Sequence, residues 1–259
     1  MEGVQVSLSR HTPTARARLD DVPGPRLGEP VPLFPTADVD GLPEATRRWL
    51  RHAIAEGTPL HRAATLTMHG HIRIGSWRPF TARQVIVPGA AFVWHARTAI
   101  LGLPVRGFDR YVAGVGEMRW RLAGVVPVMS AQDDDVSRSA AGRLAGEGAL
   151  VPTAFGVATW TADDDPDAFV GRWLIDGDEH GVRFEVGPDG RLLRLTMDRW
   201  GDPDGRGHAL HHFGVTVDAE ATFHGVTMPG RFRASWWAGT DREAEGEFFR
   251  ATVTDASFA

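Results

Sequence analysis

The sequence predicts an α+β protein built on one large, curved antiparallel sheet, half-barrel-like, with two or three helices packed against it. Three observations carry this expectation. Short segments of strand character follow one another from residue 64 onward, Gly and Pro turns separate them, and only two stretches keep a helical spacing. No repeat period is present, nor the strand–helix alternation of a parallel sheet.

Residues 1–40 read as an extended leader, because Pro13, Pro23, Pro25, Pro30, Pro32 and Pro35 break every regular period. Residues 41–259 are then expected to form a single β-rich domain that encloses a ligand. A first helix starts at Pro43, which suits a first turn, with Glu44 at its positive end. Trp49, Leu50, Ala53 and Ile54 follow at helical spacing, and Gly57 is the stop.

Strands are expected over 65–74, 80–87 and 91–99. In the first, Leu66, Met68, Gly70, Ile72 and Ile74 share one face, while Thr67, His69, His71 and Arg73 share the other. Further strands are expected over 107–112, 116–122, 156–160, 168–175, 180–186, 192–197, 209–217, 219–224, 231–237 and 246–253. Asp176-Gly177, Pro188-Asp189-Gly190 and Pro203-Asp204-Gly205 mark turns. A second helix interrupts the series, with Ser137 as its N-cap and an end near residue 149. Its small residues, Ala140, Ala141, Gly142, Ala145 and Gly146, allow close approach to a sheet.

Composition removes several mechanisms. The chain has no Lys, Cys or Asn; all 28 basic side chains are Arg, and Tyr111 is the single tyrosine. Schiff-base lysines, P-loop lysines, thiol nucleophiles, thiolate metal sites and disulfides are therefore excluded. High-GC codon bias accounts for the set, and the exclusion holds whatever its origin. A net charge of −5 argues against nucleic acid or an anionic membrane as the main partner. No run reaches the ~18 apolar residues of a membrane span, and residues 1–20 lack a signal-peptide core, so a cytoplasmic protein is expected.

Four constellations hold candidate chemistry. Asp109 and Tyr111 project to one side of a strand, a carboxylate and a phenol suited to acid/base work; Glu117 and Arg119 follow on the next strand, with Trp120 on its other face. Ser139, Arg143 and Glu147 form a polar stripe along the second helix. His208, His211 and His212 match no familiar zinc spacing, so no metal is expected, and His211 is retained as a ligand contact. The tryptophans, Trp94, Trp120 and Trp236 among them, supply either core or an aromatic-lined pocket. No P-loop, G-x-S-x-G, H-E-x-x-H or strand-linked G-x-G-x-x-G appears, so no cofactor is expected.

Several segments carry a family resemblance: Leu42-Pro43-Glu44 with Arg47-Arg48-Trp49, Asp109-Arg110-Tyr111 with Gly116-Glu117-Met118-Arg119-Trp120, Asp135-Val136-Ser137-Arg138-Ser139, Arg199-Trp200-Gly201-Asp202, and Glu245-Gly246-Glu247-Phe248-Phe249. These resemble an uncharacterised, mostly actinobacterial family of unknown function, over roughly residues 42–253. The general pattern is similar to lipoprotein-carrier-type half-barrels, which implies a curved sheet wrapped around helices and holding a lipid.

Three functions stay open at this point. One is a cofactor-independent cyclase, isomerase or lyase, with Asp109 as acid/base, Tyr111 assisting, Arg143 orienting an oxyanion and Glu147 holding Arg143. The second is a carrier that uses the same cavity, and the same apolar small molecule, without turnover. The third is a ligand-free scaffold with the leader as its arm. The oligomeric state is not readable from the sequence.

Overall fold

Gly- and Pro-bearing turns cut the chain into thirteen strands, which form one antiparallel sheet in the computed structural model; it describes residues 31–35 and 37–259. The first run comprises β1 (Ala64–Ile74), β2 (Ser76–Val87), β3 (Ala91–Ile100), β4 (Leu103–Val112), β5 (Val115–Leu122) and β6 (Val126–Ala131). The second comprises β7 (Thr159–Ala162), β8 (Ala168–Ile175), β9 (Asp178–Val186), β10 (Leu192–Gly201), β11 (Ala209–Phe223), β12 (Val226–Trp236) and β13 (Glu247–Phe258). Each run is a meander, and the two join where β13 pairs with β1, so β6 and β7 are the outer edges.

Helices α1 (Glu44–Ala53), α2 (Asp134–Glu147) and the short α3 (Glu243–Gly246) complete the fold. Helix α2 follows one edge strand and, through two 3-10 turns, precedes the other, so the chain must cross the open side of the curved sheet there. It packs on β4 and β5 on one flank and on β8, β9 and β10 on the other. Helix α1 buries Trp49, whose ring lies 5.2 Å from Phe184 and 5.6 Å from both Trp160 and Phe169. The hairpin ends of the two meanders also meet: the Tyr111 hydroxyl donates to Asp176, in the left-handed turn Asp176-Gly177.

Several expectations need correction. The N-cap of α2 is Asp133, whose Oδ1 accepts from the Val136 N–H at 2.8 Å, and Ser137 lies inside the helix. Asp caps as well as Ser, and Asp134 and Asp135 then occupy the positive end of the helix. Residues 156–160 are not one strand: Pro152–Val157 is a 3-10 helix, and β7 starts at Thr159. The two strands expected over 209–224 are the single β11, whose register shifts between Val217 and Glu220. Strand β10 runs on past the expected end at residue 197, so Trp200 lies within it, paired with Leu210. Strand β6 was not expected at all. Its sequence, Val-Pro-Val-Met-Ser-Ala, is exposed at nearly every position and shows no alternation.

Of the leader, residues 1–30 and Thr36 lie outside the described residues. Phe34 and Val39 are buried in the main core, and Leu33 bridges to Pro59.

Gly116 sets how closely α2 approaches the sheet. A Cβ there would lie 2.6 Å from Ser137 Cα and 2.7 Å from the Val136 carbonyl oxygen. Its N–H donates to Ser137 Oγ at 3.0 Å. Gly116→Ala is expected to push the helix away and cost about 1–3 kcal/mol in urea unfolding. Parent-like stability would contradict this packing.

Candidate functional site

Strand alternation delivers one apolar side chain in two to the concave face, and α2 lies over it. The helix presents small residues there, so it covers the concavity without filling it. The result is a cavity of about 270 Å³. Its walls are Met68 and Ile72 from β1, Leu195 and Met197 from β10, Phe213 from β11, Phe232 from β12 and Phe249 from β13, with Gly146 and Ala149 above.

One wall is charged. Arg143 Nε donates to Glu147 Oε1 at 2.6 Å, and Nη1 to Asp109 Oδ2 at 3.1 Å. Gln84 donates to the other Glu147 oxygen at 2.7 Å, and the Trp120 indole N–H to Asp109 Oδ1 at 3.0 Å. Arg143 also stacks 4.5 Å from the centre of the Phe92 ring. Burial pushes the Asp109 carboxyl above its ordinary range, against the pull of Arg143 and the Trp120 N–H. Burial opposes the Arg143 charge, yet Glu147 and Asp109 hold its pKa above the usual value.

Arg199 differs from Arg143. It donates to the Ser139 carbonyl at 3.3 Å and, at the limit of 3.5 Å, to Ser139 Oγ. Its guanidinium lies 4.8 Å from the Phe213 ring centre and 5.2 Å from that of Trp236. Among the described residues no carboxylate pairs with it. Burial, then repulsion from Arg143, brings its pKa down to about 10.

Arg143, Arg199, Asp109, Met118 and Trp236 also line a second pocket of about 210 Å³, a vestibule whose remaining wall includes Ser139, Asp135, Asp202 and His208. A third depression, of about 420 Å³, lies beyond α2 and is lined by Tyr111, Asp133, Asp134, Asp176, Asp178 and His180.

The structure thus brings together Asp109, Arg143, Glu147, Trp94 and Trp236 at the cavity, with Trp120 bonded behind Asp109 and Ser139 in the vestibule. Trp94 is 2% exposed and its indole N–H has no partner. Tyr111 is not the partner of Asp109: its hydroxyl donates to Asp176, and burial and that carboxylate push its pKa up. Glu117 touches the vestibule but is buried between Arg110 and Arg119 on the outward face of β5, so Arg119 does not reach the cavity.

His211 stands edge-on to Trp236 at 6.3 Å, outside the cavity wall. His208 pairs with Asp135 at 3.3 Å and His212 with Asp198 at 3.0 Å, so the three histidines have separate surroundings. Among the described residues no three His, Asp or Glu side chains converge as a metal site. The sequence reading missed Gln84 and Arg199. Both had a legible signal: each is a polar residue in the apolar register of its strand, after Ala82 and after Leu195 and Met197.

Arg143→Met leaves Asp109 and Glu147 without their shared cation and is expected to cost about 3–5 kcal/mol at neutral pH. Asp109, already raised by burial, then loses the pull of Arg143 and has a folded-state pKa above its unfolded one, so its share of the penalty is full above the raised value. It shrinks as pH falls toward about 4, where both states bind the protons. Urea unfolding at several pH values reads this, and a pH-independent penalty would contradict the ion-pair assignment.

Residues 40–258 match a family of unknown function, DUF6920. Among curated proteins no match is found. Two solved structures are similar in fold. One is a putative outer membrane lipoprotein-sorting protein domain from Vibrio parahaemolyticus, at 9% identity and a TM-score of 0.39, covering 85% of this chain and 91% of that one. The other is a LolA superfamily protein from Nitrosomonas europaea, at 8% identity and a TM-score of 0.41, covering 83% and 92%. Likeness this distant carries no functional argument. No helix among the described residues is long and apolar enough to cross a membrane.

Proposed function

The chain belongs to the DUF6920 family, and we propose that it binds and carries a largely apolar small molecule with one anionic end, without turnover. The observation that supports this reading is the apolar cavity with Arg199 at its polar end, lacking a carboxylate partner. A cation in a low-dielectric wall is costly unless it is paired, and a ligand carboxylate supplies the missing charge through a bidentate contact. The apolar walls supply the affinity, about 25 cal/mol for each Å² removed from water.

At about 270 Å³ the cavity is nearly twice the ~150 Å³ that accepts benzene, which fits one short alkyl chain or ring system. Carriage is favoured over catalysis by the bonding of the acid/base candidates. Both Asp109 oxygens are engaged by Arg143 and Trp120, and the Tyr111 hydroxyl is held by Asp176.

Calorimetry with decanoate and decanol tests the reading. Decanoate is expected to bind more tightly than decanol, and Arg199→Gln to lower decanoate affinity at least about tenfold while sparing decanol. Decanoate binding should weaken above about pH 10, where Arg199 loses its charge. A protein that binds neither probe, or both equally, would refute the proposal. Native mass spectrometry of protein from its own host then identifies the molecule retained.

A further inference from the structure

The outer end of the first meander combines two features that ordinary surfaces keep apart. Arg97 stands opposite Arg106, and Arg106 opposite Arg121, in one row across β3, β4 and β5; all three are exposed. Like charges placed directly opposite repel, and among the described residues none of the three has an anionic partner. Between residues 97 and 131 five arginines face only two carboxylates, and one of those, Asp109, points into the cavity. The local charge is therefore positive on a chain whose net charge is −5.

Just beyond that row, the sheet ends in apolar turns. Leu101 is 86% exposed, Leu103 51%, Val125 73% and Val126 56%. The two turns lie side by side, tied by the Ala123 N–H to the Pro104 carbonyl at 2.7 Å. Scattered exposed apolar side chains are common, but a cluster at paired hairpin tips is not. Arg106 lies three residues from Leu103, which on a strand is about 10 Å. That span matches the ~5–10 Å to which surface-bound elements sink into the headgroup and acyl boundary.

We propose that this end of the sheet docks the protein on an anionic lipid bilayer. The tips Leu101, Leu103, Val125 and Val126 enter the interface, and Arg97, Arg106 and Arg121 lie at the phosphates. The composition argument against an anionic membrane fails here because charge is read locally, over a screening length, and not as a sum over the chain. The inference does not depend on what the cavity holds.

Cosedimentation of the full chain with vesicles decides it, using phosphatidylcholine alone and phosphatidylcholine mixed with phosphatidylglycerol. Binding is expected on the mixed vesicles only, weakening at high salt. Arg106→Gln and Arg121→Gln should each lower partitioning about fivefold, and Leu101→Ser with Val126→Ser should lower it further, all with parent-like unfolding curves. Equal binding to both vesicles, no binding, or insensitivity to these changes overturns the proposal. So does a concentration-dependent dimer that Val128→Arg abolishes, which would make the β6 edge a contact between copies.

Discussion

Everything about this molecule follows from one connection. The two meanders leave their free edges on opposite sides of a curved sheet, and the chain between them has to cross the opening. Helix α2 makes that crossing; Gly116 lets its first turn lie against β5, and small residues face the sheet farther along. A helix with bulky apolar side chains would fill the concavity as ordinary core. One with Gly146 there, followed by Ala149 in the next 3-10 turn, covers it and leaves space. The cavity is thus a product of how the crossing is built, and the polar stripe on the same helix decides which wall carries charge.

The absence of lysine gains a structural meaning in this setting. Guanidinium groups are planar and stack on rings, and the chain uses them that way: Arg143 on Phe92, Arg199 on Phe213, Arg138 on Trp200, Arg242 on Trp237 and Arg250 on Trp77. The aromatic side chains give these arginines places to lie flat. Two of those places are at the cavity, where Arg143 is shared by two carboxylates and Arg199 by none. The difference between the two gives the site its polarity.

Much of the fold was legible in the sequence because alternation and turn chemistry are local. Strand β8 could be read to the residue, since Phe169, Trp173 and Ile175 keep a buried register that ends at Asp176-Gly177. The Ser139–Arg143–Glu147 stripe was legible from helical spacing, and its contacts with Asp109 and Arg199 were not. Those contacts join α2 to β4 and β10, and nothing local sets their distance. Tyr111 shows the same limit. Its strand face could be derived, but its partner lies 65 residues away in the opposing meander. Strand β6 escaped notice for a different reason: an edge with no buried face leaves no period to read.

The pairing of β13 with β1 has a consequence for how the chain reaches this state. The sheet is joined at its centre by its first and last strands, with Ala64 opposite Phe258. The first meander can form its own ladders early, but the outer edge of β1 stays unpaired until β13 has been made. During synthesis β1 offers an unpaired edge for the whole time that the second meander is being made. Closing so long a loop is slow, and the exposed edge meanwhile can recruit a neighbouring chain. Folding yield is therefore expected to be set by how fast β13 finds β1, and the same strand supplies Phe249 to the cavity wall.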